Sequence, residues 1–271
     1  MMKKSKWNQK RFSFPRNVSW VAMSKQIFLA FRRNASCKTV ALKNSLVFML
    51  LFIILLDPAN YLFAQDKKPF WNEIESFKKD DSLHQPPKNA ILFVGSSSFR
   101  MWANVQDYFP KHTIINRGFG GSSLPDVIGY EEETIFKYKP RQIIIYCGEN
   151  DLASSDTVTA AMVLKRFQQL FADIRKTLPN VPVVFVSIKP SPSRWRLKEK
   201  VIEANKLIKK FLATKKKTAF ADVWSVMLDG EGKPNEALFI EDKLHMNAEG
   251  YAIWEKVLDK YLTPNPSPAK L

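Results

Sequence analysis

Two stretches far apart in the chain carry residue types that can do nucleophilic acyl chemistry. Gly95-Ser96-Ser97-Ser98 follows the apolar run Ile91-Leu-Phe-Val94, and Asp242-Lys-Leu-His245 lies near the carboxyl terminus. A serine hydroxyl is a weak nucleophile and needs a base within hydrogen-bond reach, itself oriented by a third group. At i and i+3, Asp242 and His245 can meet on one face of a helix start and supply both. The oxyanion that develops needs fixed donors. Gly121 offers an unobstructed backbone N–H and Asn150 a side-chain amide. Each residue also has a plain structural reading: the serines cap a helix, Gly121 sits in a turn, Asn150 ends a strand, and Asp242 with His245 are surface polar residues.

Position is what joins them. Ile91–Val94, 112–116, 142–147, 181–188 and 219–223 read as strands, several of them short unbroken apolar runs of the kind buried on both faces of a parallel sheet. Helices are predicted near 99–108, 125–137, 157–177, 197–213 and 247–261. Thr157 is a candidate cap for the third, whose apolar stripe is Met162, Leu164, Phe167, Leu170, Phe171 and Ile174. This alternation predicts one parallel three-layer α/β domain. Every candidate residue then stands at the carboxyl end of a strand or in the last loop, where open α/β sheets bind ligands. The loop after the fourth strand, Lys189-Pro-Ser-Pro-Ser-Arg-Trp195, reaches the same edge; Trp195 either covers the following helix or offers a flat wall for a sugar.

In this order the blocks Gly95-Ser96-Ser97-Ser98, Asn116-Arg-Gly-Phe-Gly-Gly121, Gly148-Glu-Asn-Asp151 and Asp242-Lys-Leu-His245 resemble the SGNH hydrolases, also called the GDSL lipase/esterase family. Within it they look most like small-acyl esterases similar to platelet-activating-factor acetylhydrolase. The resemblance implies an α/β/α sandwich on a five-stranded, parallel, flavodoxin-like sheet. It implies Ser97 as nucleophile, His245 as base and Asp242 as its orienting partner. The serine's own N–H, Gly121 and Asn150 would be the oxyanion donors. One residue departs from the pattern: Ser96 stands where the family usually has aspartate. The function implied is hydrolysis of small acyl esters, acetyl above all, on small molecules or glycans. A sugar O-acetyltransferase and a silent carbohydrate-binding protein are the rival readings.

Charge and composition bound the rest. Eleven of the 42 Lys and Arg fall in residues 1–44, which hold no acid, leaving 31 basic against 26 acidic residues elsewhere. Most of the net charge of +16 therefore belongs to the leader, the rest of the chain carries an ordinary +5, and the total is no sign of nucleic-acid binding. Leu46–Leu56 is too short to span a bilayer and reads, behind the basic segment, as a signal peptide with cleavage after Ala64, or as an uncleaved anchor. A basic region this long points to a start at Met23. Expected divisions are 1–64 leader, 65–89 amphipathic helix and linker, 90–262 hydrolase domain and 263–271 frayed tail, with export to the periplasm or beyond. Of two cysteines only Cys147 follows the leader, so no intrachain disulfide is expected, and three histidines argue against a multi-histidine metal site. No glycine-rich phosphate loop or Walker lysine is present, and no cofactor is expected.

Overall fold

A computed structural model describes residues 68–265. The leader expected over 1–64, with its cleavage point, lies outside the described residues. Ile91–Gly95 (β1), Gln142–Tyr146 (β3) and Val183–Val186 (β4) are strands in which every residue is buried. With Ile114–Gly118 (β2) and Thr218–Ala221 (β5) they form one all-parallel sheet in the order β2-β1-β3-β4-β5. This is the flavodoxin-like order, which reverses between β1 and β3.

Nine α-helices surround the sheet among the described residues: Trp71–Leu83 (α1), Ser97–Arg100 (α2), Val105–Tyr108 (α3), Leu124–Gly129 (α4), Glu131–Thr134 (α5), Glu149–Ala153 (α6), Ala160–Thr177 (α7), Lys198–Ala213 (α8) and Ala248–Leu258 (α9). Because strand side chains alternate, the sheet feeds two cores. Leu92, Val94, Ile143, Ile145 and Phe185 pack with α1, α4, α7 and α8 on one face. Ile91, Phe93, Ile144, Tyr146 and Val186 pack with Phe99, Trp102, Val105 and Trp254 on the other. Among the described residues, no helix is long and apolar enough to cross a membrane.

Several boundaries differ from expectation, each for a local reason. The helix expected near 99–108 is broken into α2 and α3. Asn116 Nδ2, from β2, donates to the carbonyls of Phe99 (2.7 Å) and Trp102 (3.2 Å), satisfying acceptors that a longer helix would have used itself. The helix expected over 125–137 is split into α4, α5 and a 3-10 turn at Phe136–Tyr138; its first break follows Gly129, a poor helix former. α7 is capped by Thr159, whose hydroxyl accepts from Met162 N at 3.3 Å, while Thr157 pairs with the Ser155 hydroxyl at 2.9 Å. Val163 joins the buried stripe in place of Met162, which is 41% exposed. The final helix begins where expected, at Ala248 with Asn247 as its cap, but Asp242 and His245 stand in the loop before it and not on its first turn. Thr263 and Asn265, expected in a frayed tail, are held by Gln142 Oε1 (2.8 Å) and the Lys111 carbonyl (2.8 Å).

Candidate active site

β1 ends on Gly95, where φ is +135° and an added Cβ would fall 1.9 Å from the Tyr146 carbonyl oxygen of β3. Only glycine allows that approach. Ser96 N donates to the same oxygen at 3.0 Å, and helical geometry begins at Ser97. The three adjacent serines therefore have three surroundings. Ser96 and Ser98 are buried, and Ser97, the first residue of α2, is half-buried.

Ser97 Oγ lies 2.8 Å from His245 Nε2, and His245 Nδ1 lies 2.5 Å from Asp242 Oδ2. The other oxygen, Asp242 Oδ1, accepts the backbone N–H groups of Leu244 and His245, each at 2.9 Å. A side-chain-bridged turn thus fixes the pair, where helical spacing was expected. Lys243 occupies the left-handed region (φ +54°), and Ile240 N donates to the His245 carbonyl at 2.9 Å, closing the turn. Burial alone would raise the Asp242 carboxyl. The hydrogen bonds from the His245 ring and from the two backbone groups outweigh it and bring the carboxyl down to about 2.

Asn150 follows β3 on α6, two residues after Gly148 takes a positive φ of +114°. Its Nδ2 donates to Ser96 Oγ (2.7 Å) and to the Ser122 carbonyl (3.1 Å). A Cβ built on Gly121 would lie 3.8 Å from that nitrogen, so the glycine loop and the amide adjoin. Ser96, at the position where the family has aspartate, is the side chain that aims Asn150. Asp151 is fully buried: Oδ2 accepts from Leu124 N (2.9 Å) and Oδ1 pairs with Arg166 (2.7 Å). Burial nonetheless leaves its carboxyl above the usual range. It ties α6 to the start of α4.

A buried ionic cluster beside Asn150 escaped the sequence reading. Glu149 accepts from Lys189 Nζ (2.5 Å) and Tyr146 OH (2.7 Å) on Oε2, and from Ser191 Oγ (2.5 Å) on Oε1. Burial pushes Glu149 up, but the cations of Lys189 and Arg194 more than offset this and hold it below the ordinary carboxylate range. The legible signal was Lys189 itself, a lysine directly after a strand too apolar to face water. From this cluster the loop reaches the His245 turn, where Ser193 N (3.0 Å) and Oγ (2.9 Å) both donate to the Lys243 carbonyl. Trp195 stacks on Trp224, with ring centroids 5.9 Å apart and 18° between planes, and Lys198 of α8 sits 5.1 Å over its ring. Its ring is thus engaged by the protein.

The profile of the GDSL-like lipase/acylhydrolase family matches residues 87–253, which contain all four blocks. No curated protein matches the chain. Among solved structures, a Streptococcus pneumonia protein provisionally named a platelet activating factor is 21% identical, with TM-score 0.64 over 79% of this chain and 99% of that one. A GDSL-like lipase from Bacteroides thetaiotaomicron is 20% identical, with TM-score 0.59 over 69% and 96%. The acetyl xylan esterase AlAXEase is 18% identical, with TM-score 0.52 over 64% and 100%. At these identities the structures establish a shared fold, and the profile establishes kinship. The chain belongs to the GDSL-like lipase/acylhydrolase family and is a carboxylic ester hydrolase.

Proposed function

We propose that this hydrolase removes small acyl groups, acetyl in particular, from carbohydrate esters, with Ser97, His245 and Asp242 as its triad. The observation that carries the reading is the unbroken chain of contacts Ser97–His245–Asp242, assembled from the β1 end and the last loop. Ser97 Oγ attacks the ester carbonyl carbon while its proton passes to His245 Nε2. The carbonyl oxygen gains the electron pair and is met by the N–H groups of Ser97 and Gly121 and by the Asn150 amide, which turns one of its two hydrogens from Ser96 Oγ or the Ser122 carbonyl to the oxyanion. The bond to the alcohol breaks, the alcohol leaves with the proton from His245, and the acyl group stays on Ser97. Water then gives a proton to His245 and attacks the acyl carbon; the bond to Ser97 Oγ breaks, His245 returns that proton to Oγ, and the acid is released with Ser97 and His245 restored. Asp242 stays ionised, fixing the imidazole's tautomer and stabilising its protonated form.

The likeness to an acetyl xylan esterase supports the carbohydrate and acetyl parts of this reading. The basic leader and the short apolar run support a site of action outside the cytoplasm, where polymeric glycans are met. Rates on p-nitrophenyl esters of rising chain length and on acetylated xylo-oligosaccharides test the substrate class. The expected result is kcat/KM highest for acetyl and falling with chain length, with acetate released from the oligosaccharide. A maximum at long acyl chains would contradict it.

A further inference from the structure

Helix α1 lies outside the residues 87–253 that match the family profile, yet its first turn touches the loop that carries Gly121. Gly120 N donates to Glu73 Oε2 at 2.8 Å. Gly120 has φ +36°, and a Cβ there would fall 2.4 Å from the Phe70 ring and 3.0 Å from Glu73 Oε1. The Phe70 ring also packs edge-on against Phe119, with centroids 5.5 Å apart. Tyr130 OH holds the Pro69 carbonyl at 2.6 Å, anchoring the chain just before α1. The same Glu73 oxygen lies 3.7 Å from Arg100 Nε, at the end of the helix that Ser97 begins.

We propose that Glu73 is a positioning residue for the oxyanion site: by holding the Gly120 N–H, it fixes the direction of the next N–H, that of Gly121, relative to Ser97. The proposal rests on the reading of Gly121 as an oxyanion donor. The physical reason is short. A glycine pair has little conformational preference of its own, so the direction of the Gly121 N–H must come from contacts. Glu73 and Phe70 supply them, and preorganised donors are what stabilise a developing oxyanion. The Gly120 N–H needs an acceptor at this reach, which an amide oxygen supplies as well as a carboxylate, and the pairing with Arg100 at 3.7 Å between partly exposed groups adds little.

Reach and charge can be separated in the full chain. Glu73→Gln keeps an acceptor at the same distance, and Glu73→Asp keeps the charge but withdraws it by one methylene. The account expects Glu73→Gln to keep kcat within about twofold. It expects Glu73→Asp and Glu73→Ala to lose kcat, by about tenfold for Ala, with KM for p-nitrophenyl acetate little changed, a fraction of the roughly 10²–10³ cost of losing a donor outright. Asp81→Asn, which weakens the anchoring of the last turn of α1 to Arg117 and Tyr138 and leaves the Glu73–Gly120 contact in place, is the structural control. It should lower Tm and leave kcat alone. Wild-type kcat in Glu73→Asp, or loss of kcat in Asp81→Asn in step with its Tm, would overturn the proposal. Asn150→Ala separates the two levels of argument. If it loses about 10²–10³ in kcat while Glu73→Asp does not change, the oxyanion reading stands and Glu73 falls. If Asn150→Ala keeps wild-type kcat, both fall.

Discussion

Single side chains here take their roles from partners close at hand. Asp242 shows this most directly, because both its oxygens are spoken for and its carboxyl sits at about 2. A carboxyl depressed below its unfolded value adds stability that is full above that unfolded value and is lost only as pH falls through about 2. Asp242 therefore stays ionised over the whole range in which an esterase can be assayed. Asp242 should then contribute no proton to the acid limb of kcat/KM. A limb of slope two between about pH 4 and 7 would mean that two essential groups titrate there, and a limb moved by Asp242→Asn would mean that Asp242 is one of them. Residue types and spacing offered the serine block, Gly121, Asn150, Asp242 and His245 as candidates, and the resemblance to the family chose Ser97 among the three serines. What could not be read was the role of Ser96 Oγ in aiming Asn150, because that contact joins residues with 53 others between them.

At the scale of elements, strands were legible and helix ends were not. An apolar run such as Ile143-Ile-Ile145 has one stable outcome, burial between two layers. Where a helix stops can be decided by distant partners: Asn116 ends the run after Phe99. α5 shows how an element can carry an internal cost. Burial, followed by the charges of Asp173 and Glu132, raises Glu131 to about 7, and its Oε2 is buried with no partner. A raised carboxyl binds more protons in the folded state, so stability declines as pH rises from the ordinary carboxylate value to about 7 and is level above. Glu131→Gln should remove that penalty. Thermal melts should show the variant gaining more in Tm at pH 8 than at pH 4 (about one unit above the window in which the group titrates and about half a unit below it,). An equal change at both would contradict the assignment of the cost to ionisation.

For the molecule as a whole, strand order does the assembling. Ser97 follows β1 and Asn150 follows β3, neighbours across the point where the sheet order reverses, and Gly121 arrives from β2 on the other side of β1. The last loop brings Asp242 and His245 over that edge, and α1, outside the shared family region, closes beneath the glycine loop. The alternation of strands and helices made the α/β class readable, and the order of four blocks made the family readable. The contributions of α1 and of the Glu149–Lys189 cluster rest on contacts with no sequence pattern of their own. The central claim is that this architecture selects one hydroxyl out of three as the nucleophile. Peptide mapping after reaction with a fluorophosphonate tests it most directly. The account predicts a single adduct on Ser97, abolished by Ser97→Ala and retained in Ser96→Ala and Ser98→Ala; an adduct on Ser96 or Ser98 in the native chain would contradict it.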